Sequence, residues 1–184
     1  YIHGEVHAAD GSAAKQLFNN ISGHYAYADG LLRLQDFVVN AFYGSLTLDG
    51  TMTADRRLNF VMDAKNVDLE HLPISDDTVD LGGKLNAKGH LSGTLTAPFF
   101  DGEVSSEKIT VNGEALTELE GTLASNGRDK NKLNASFKQP YRDDPVNYGL
   151  YSADLNLNLV QHYIEGMVEN IWGDIGGLLR MARL

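Results

Sequence analysis

From Gly83 to Ala97 every second residue is glycine, alanine or leucine, and the residues between them are polar. Successive side chains of a β-strand point to opposite faces, so this segment predicts a strand with one apolar and one polar face. The same two-residue period recurs over Leu46–Met52, Leu58–Ala64, Leu133–Phe137 and Tyr151–Leu159. The apolar sides of so many strands must be buried together, and this requirement is the strongest constraint on the fold.

The connections between these segments carry the chemistry of tight turns. Asn112-Gly113 between two apolar alternations is the clearest hairpin signal, and Ala28–Gly30, Asp55–Arg57 and Asn126–Asp129 are similar. Consecutive strands joined by short turns are antiparallel, because a parallel pair needs a long crossover connection. The sequence therefore predicts a mostly β chain built as an antiparallel meander.

Two stretches depart from the two-residue period. Between 159 and 172 the apolar residues come in pairs every four positions, as in Met167-Val168 and Ile171-Trp172, which predicts an amphipathic helix over about 160–172. A second pattern begins at Ser12, a plausible helix N-cap, and predicts a short helix over about 12–20. We expect one or two short helices to shield an edge or an end of the sheet.

Composition excludes several classes of partner. The chain has 184 residues and a formal net charge of -10, and no cluster of Lys and Arg could contact nucleic acid phosphates. It has no cysteine, so neither a disulfide nor a thiolate zinc site is possible. No apolar run approaches the roughly 18 residues that span a bilayer. We expect a single repetitive β segment over 1–184, cut from a longer protein because both ends lie in strand-like patterns.

Glycines recur at matched positions, with Gly44 and Gly50 spaced like Gly83 and Gly89, and with Gly121-Thr-Leu echoing both. One interpretation is that they mark the bulges and bends found in any β protein. The other is that they let each strand curve, so that successive strands stack into a bent trough with their apolar sides inside.

These segments together resemble the TamB branch of the AsmA-like envelope proteins. The resemblance is carried by Gly44–Gly50, by Ala64–Leu72 with its short Asp-Leu turn, and by the strand Gly83–Pro98 followed by Phe99–Gly102. The segment Ile171–Gly177 is also similar to a recurring element of that family. The matching elements come in the family's order and cover nearly the whole chain.

The resemblance implies a curved open trough of antiparallel strands (a β-taco or half-pipe) with an apolar interior. It also implies a periplasmic location in a two-membrane bacterium, with the full-length chain anchored in the inner membrane. The cargo would be phospholipid acyl chains, carried between the inner and outer membranes. An outer-membrane assembly protein of the TamA or BamA type would be a partner, through parts of the protein outside this segment.

The residues expected to line the groove all lie on the apolar parity of a predicted strand. They are Leu46, Leu48, Met52, Leu58, Phe60, Met62, Leu85, Leu91, Leu95, Leu119, Leu123, Leu133, Phe137, Leu155 and Leu157. The alternative for each of them is a closed hydrophobic core, as in a sandwich or a small barrel.

An alternative function is assistance to the insertion or secretion of outer-membrane proteins through strand contacts. It would use strands at the free edges of an open sheet, which pair readily with other chains. The same edges, near Tyr1 and Leu184, would allow the isolated segment to associate with itself.

The sequence predicts no enzyme, no cofactor and no metal site. His3, Glu5 and His7 alternate on one strand face and could approach a metal, but three polar residues there are more typical of a solvated face. Asp76-Asp77 and Asp143-Asp144 are adjacent carboxylates in predicted turns and do not form an acid–base pair. No nucleophile elbow, phosphate-binding loop or dinucleotide fingerprint is present in the sequence.

Overall fold

The computed structural model describes residues 1–13, 16–41, 43–71, 80–141, 146–158, 160–161, 163–173, 176 and 179. Eleven strands account for nearly all of them. They are β1 (Ile2–Ala13), β2 (Gln16–Ala28), β3 (Leu31–Ala41), β4 (Gly44–Thr53), β5 (Leu58–Asp68), β6 (Leu81–Thr94), β7 (Ala97–Val111), β8 (Glu114–Ser125), β9 (Asn131–Pro140), β10 (Tyr148–Asn158) and β11 (Tyr163–Trp172). A single 3-10 turn, Leu69–His71, follows β5.

The strand order in the sheet is the order along the chain, so each strand pairs with the ones before and after it. The pairing is antiparallel, and β1 and β11 are each hydrogen-bonded on one side only within the described chain. The predicted antiparallel, open and mostly β architecture is therefore confirmed.

Both predicted helices are wrong. Residues 12 and 13 end β1, residues 16–20 begin β2, and the two strands pair as a hairpin in which Gly11 lies opposite Phe18. Residues 163–172 form β11, which pairs along its length with β10. Residues 14, 15 and 162 lie outside the described part of the chain.

The four-residue apolar spacing of β11 also suits a strand, because one member of each apolar pair falls on each face. Val168 lies opposite Ala153 of β10 and continues its apolar side, while Met167 lies opposite Asp154. Gly166 approaches β10 so closely that a Cβ would stand 2.0 Å from the carbonyl oxygen of Asp154. Tertiary pairing of this kind overrides a weak helical preference.

The chain divides into two compact units, each with its own buried residues. Unit 1 comprises residues 1–67 and 86–102, and unit 2 comprises residues 68–85 and 103–184. The buried apolar residues of unit 1 are Leu58, Phe60, Ala64 and Phe100. Those of unit 2 are Leu69, Val104, Ile109, Leu116, Leu119, Ala135, Phe137, Tyr151 and Ala153.

Four strands contain a non-glycine residue in the left-handed region, at Asp10 (φ 42°), Asp36 (φ 49°), Asn66 (φ 55°) and Glu118 (φ 49°). The register shifts beside Asp36, between Leu34 and Phe37, and beside Glu118, between Thr117 and Glu120. An extra residue of this kind is a β-bulge, and it moves the following residues to the opposite parity.

After each of these two bulges, the apolar residues of the strand lie on the same face of the sheet as before it, although their positions in the sequence have changed from even to odd or the reverse. Leu116 and Leu119 are an odd number of positions apart, yet both are buried on either side of Glu118. A side chain of the next strand caps the backbone in two cases. The amide of Asp36 donates to Asp49 Oδ1 at 2.7 Å, and the amide of Asn66 donates to Asn86 Oδ1 at 2.9 Å. The strained backbone is thus held by neighbouring polar groups.

Asn131 links the turn between β8 and β9 to the next strand. Its side-chain amide donates to the carbonyl oxygens of Arg128 at 3.1 Å and Leu157 at 2.9 Å. Its Oδ1 accepts from the Ser125 hydroxyl and from the Gly127 amide. Asn131 is buried, so water has little access to its hydrogen-bond partners and could not easily take the place of its side chain.

Replacing Asn131 with alanine is expected to lower the free energy of unfolding by about 2–3 kcal/mol, because several hydrogen bonds are lost and their partners stay partly buried. Urea denaturation followed by circular dichroism measures this change. Asn134→Ala, at an exposed position of the same strand, serves as the control and is expected to change it by less than about 0.5 kcal/mol. Equal effects of the two substitutions would contradict the linking role of Asn131.

The repeated glycines stand where the backbones of neighbouring strands leave no room for a side chain. A Cβ at Gly50 would lie 2.1 Å from the carbonyl oxygen of Asn59, and one at Gly121 would lie 2.2 Å from that of Asn134. Gly50 also has a φ of 150°, which L side chains rarely adopt. Close approach of strands is therefore one function of these glycines.

Gly50→Ala is expected to destabilise the chain by more than about 2 kcal/mol, because the clash involves backbone atoms that cannot rotate away. Ser45→Ala, in the same strand, is expected to stay within about 0.5 kcal/mol of the parent. Thermal and urea unfolding of the two variants compare these effects, and a stable Gly50→Ala protein would show that the strands can separate locally.

Candidate apolar binding face

In unit 1 the strand register aligns apolar residues into rows that cross five strands. Residues directly opposite in an antiparallel pair lie on the same face of the sheet, so each row belongs to one face. One row contains Ile2, Tyr27, Leu32, Met52 and Leu58; the next contains Gly4, Tyr25, Leu34, Gly50 and Phe60; a third contains Ala8, Ile21, Val39, Leu46 and Ala64. We call this side the apolar face of unit 1.

The apolar face of unit 1 is covered unevenly. In its first row Ile2 is 61% exposed and Tyr27 45% exposed, whereas Leu58 retains only 9%. Met52, between them, is half-buried. Exposure thus falls from β1 towards β5, and much of the face is neither closed like a core nor freely solvated.

Unit 2 carries a matching apolar face on β8–β11. Leu123, Leu133, Leu155 and Gly166 lie in one row, and Gly121, Ala135, Ala153 and Val168 lie in the next. Phe137 stacks on Tyr151 with ring centroids 5.5 Å apart, and Tyr151 is fully buried. Burial on this face therefore varies along the strands as well as across them.

The predicted lining residues fall into three groups in the structure. Leu58, Phe60, Leu119 and Phe137 are buried. Leu46, Leu48, Met52, Met62, Leu85, Leu91, Leu123, Leu133, Leu155 and Leu157 are half-buried. Leu95 is 57% exposed and lies in the turn between β6 and β7, because β6 ends at Thr94, so it is not part of a strand face.

The rows also contain residues outside the predicted groove lining. They include Tyr25, Leu32, Leu34, Val39 and Tyr151. Val39 could not be assigned from alternation with Leu32 and Leu34, because the bulge at Asp36 changes its parity. The alternation of Leu32 with Leu34 was a usable signal.

The opposite face of unit 1 is mostly polar, although Val61 of β5 is exposed on it. Glu5 lies 3.2 Å from His24 on the neighbouring strand and 3.6 Å from His7, and all three side chains are largely exposed. On β5 and β6, Asn59 Oδ1 lies 2.7 Å from His90 Nε2.

Within the described residues no three His, Cys, Asp or Glu side chains are placed to hold a metal. Asp76-Asp77 and Asp143-Asp144 lie outside the described residues.

The opposite face of unit 2 carries a chain of side-chain contacts across β8–β11. Lys138 forms an ion pair with Glu118 and lies 4.6 Å from the ring centroid of Tyr148, whose edge meets Trp172 at 6.1 Å. The hydrogen bond from Lys138 to Glu118 raises the pKa of the Lys138 ammonium above its usual range. This face is therefore tied together by polar and aromatic contacts.

Buried polar groups lie at one end of the apolar face of unit 2. Gln139 is 3% exposed and lies opposite Gly149, beyond the Phe137–Tyr151 pair. Its Nε2 has no hydrogen-bond partner among the residues that the structure describes. Glu114, at the start of β8, is also buried. The buried Asn131 lies opposite Leu157 at the other end, so the apolar character of the face is strongest between the two ends, at Leu133 and Leu155.

No family model, curated protein or solved structure matches the chain. Among the described residues, no helix has the length and apolar character needed to cross a membrane.

Alanine substitution is expected to separate the half-buried part of the face from the buried part. Phe137→Ala should destabilise the chain by about 3–4 kcal/mol, because it leaves a cavity against Tyr151. Leu48→Ala should destabilise it by about 1–1.5 kcal/mol, since a half-exposed side chain loses less burial and its site can collapse. Urea denaturation measures both changes, and equal large losses would indicate that Leu48 belongs to a closed core.

Proposed function

We propose that this chain is a segment of a lipid conduit, whose apolar face holds phospholipid acyl chains as they pass between the inner and outer membranes of a bacterial envelope. The observation that carries the proposal is the register of apolar rows whose side chains stay half-buried. The resemblance to TamB-type proteins supports the envelope location, the inner-membrane anchor and the outer-membrane partner.

Incomplete burial distinguishes an apolar binding face from a protein core. Side chains of a packed protein core lose almost all of their exposure, and the stacked Tyr151 and Phe137 are buried to this degree. Leu46, Leu48 and Met52 keep part of theirs, although the register brings them together on one face. Contiguous exposed apolar surface is unusual in a monomer, and it commonly marks a binding site.

Acyl chains suit such a face because each buried methylene gains roughly 0.8 kcal/mol on leaving water. An acyl chain that slides along rows of Leu, Met, Val and Phe would keep nearly the same energy, because no row requires a polar contact at one fixed position. The lipid headgroup would stay in water, because apolar side chains such as Leu46, Leu48 and Met52 offer it no hydrogen bonds.

Site-specific photo-crosslinking tests the proposal in unit 1. A benzoylphenylalanine at Leu48 points to the apolar face, whereas one at Thr47 lies on the opposite face, facing Asp63 on β5. With the purified chain incubated with phospholipid vesicles, we expect lipid adducts in mass spectra from Leu48 and none above background from Thr47. Equal labelling from both positions, or none from Leu48, would contradict the proposal.

Charge substitution tests the same face without a probe. Leu155→Arg in unit 2 should leave the chain folded, since Leu155 is half-buried, and should lower co-purified phospholipid by at least about tenfold because burying a charge beside an acyl chain is unfavourable. Asn156→Arg, on the exposed opposite face, provides the control and should retain lipid. Native mass spectrometry measures the bound lipid, and circular dichroism confirms folding. Loss of folding by Leu155→Arg would indicate a closed core instead.

A further inference from the structure

One end of unit 1 brings an apolar row of the sheet next to the turn between β4 and β5. Met52 and Leu58 lie opposite each other in that row, and the turn that joins their strands passes through Arg56. Leu95, which follows β6, is held against this turn because its amide donates to the carbonyl oxygen of Arg56 at 3.0 Å. Since Leu95 is 57% exposed, exposed apolar surface lies directly beside the turn.

The turn holds Arg56 in a defined backbone conformation. Its amide donates to the carbonyl oxygen of Thr53 at 2.8 Å, and its φ of 63° lies in the left-handed region. With the hydrogen bond from Leu95, both backbone polar groups of Arg56 are satisfied. The base of the side chain is therefore fixed two residues before Leu58, while the side chain itself is exposed. A long arginine stem can lie along apolar surface and keep its guanidinium in water.

The charge of Arg56 is not neutralised, whereas that of its neighbour Arg57 is. Arg57 Nε donates to Asp55 Oδ2 at 2.7 Å. Hydrogen bonds from Thr53 and from Arg57 lower the pKa of the Asp55 carboxyl below its ordinary value, so this carboxylate is charged at neutral pH and engaged by Arg57. Arg56 forms no ion pair with any residue that the structure describes.

Two other basic side chains of unit 1 lack an ion pair in the described part of the chain, and both lie on its polar side. Arg33 lies opposite Thr51, in a row that belongs to the polar face. Lys88 has the same strand parity as His90, whose ring contacts β5 on that face. Arg56 thus differs from both, because it stands at the end of an apolar row.

We propose that Arg56 binds the phosphate of an amphipathic ligand whose acyl chain lies on the adjoining apolar face of unit 1. The planar guanidinium matches the geometry of phosphate oxygens and can donate two hydrogen bonds to them. Leu95 and the half-buried Met52 offer the alkyl chain apolar contacts next to that cation. An alkyl chain and an anion in one molecule therefore complement the two halves of this surface.

The proposal rests on the proposed function, because it assigns a headgroup contact to the ligand that the apolar face would hold. It adds a preference for lipids that carry a phosphate over neutral lipids with the same acyl chain. Free phosphate would lack the apolar contacts and bind more weakly. Since the guanidinium is exposed, the preference should be modest and should decrease as the salt concentration rises.

Two ligands with the same alkyl chain test the headgroup contact. Decyl phosphate and decanol are titrated, below the concentrations at which they aggregate, into the purified chain carrying isotope-labelled methionine. The methyl resonance of Met52 reports binding in unit 1. At low ionic strength we expect decyl phosphate to bind about fivefold more tightly than decanol. Arg56→Gln should remove this difference, and Arg56→Glu should make decyl phosphate the weaker ligand.

Arg33→Gln makes the same change of charge on the polar side and should keep the fivefold preference. If the Met52 resonance responds to neither ligand in the parent chain, the proposed function fails as well. Equal affinities in the parent chain, or an undiminished preference in Arg56→Gln, would overturn the headgroup contact and leave the apolar face standing. Inorganic phosphate should not displace decyl phosphate at equal concentration, and displacement would assign Arg56 to free phosphate instead.

Discussion

The fold depends on cross-strand register, which keeps the apolar side chains of successive antiparallel strands on one face. A slip of one residue would turn Leu48 outward and Thr47 inward, and every row built on them would be lost. The bulges at Asp36 and Glu118 protect this arrangement rather than disturb it, because they correct the parity where two apolar stretches are out of phase. Asp49 then caps the amide of Asp36 in its bulge, and Asn86 caps the amide of Asn66, another strand residue with positive φ.

The same register leaves the apolar faces unevenly buried, and this partial burial is the property that matters for ligand binding. Stacking of Phe137 on Tyr151 closes one part of unit 2, whereas Leu133 and Leu155 remain half-buried on the same face. A fully closed face would have no room for a ligand, and a fully open one would aggregate. Partial coverage is the condition under which an apolar ligand can exchange with water at low cost.

Alternation and short turns correctly predicted an antiparallel, mostly β meander, because consecutive strands joined by short turns must pair in this way. The open form was implied only by the resemblance to TamB-type proteins, since alternation also suits a closed sandwich or barrel. Alternation failed where tertiary contacts decide the outcome. The apolar pairs of 163–172 suit a helix and a strand equally, and only pairing with β10, with Gly166 against Asp154, selects the strand. The bulges were not predictable either, since a bulge is a relation between two strands. Leu95 was misplaced because alternation alone does not show that β6 ends at Thr94.

The apolar and the polar side of each unit have the same physical origin. A two-residue period gives each strand one apolar and one polar side, and the register aligns equal sides across neighbouring strands. In unit 2 the apolar parity reaches β11 at Val168, opposite Ala153, whereas Glu165 and Glu169 on the polar parity lie opposite Asn156 and Ser152. One alternation thus builds the face that we propose for apolar ligands and gives the same strands a side that water can solvate.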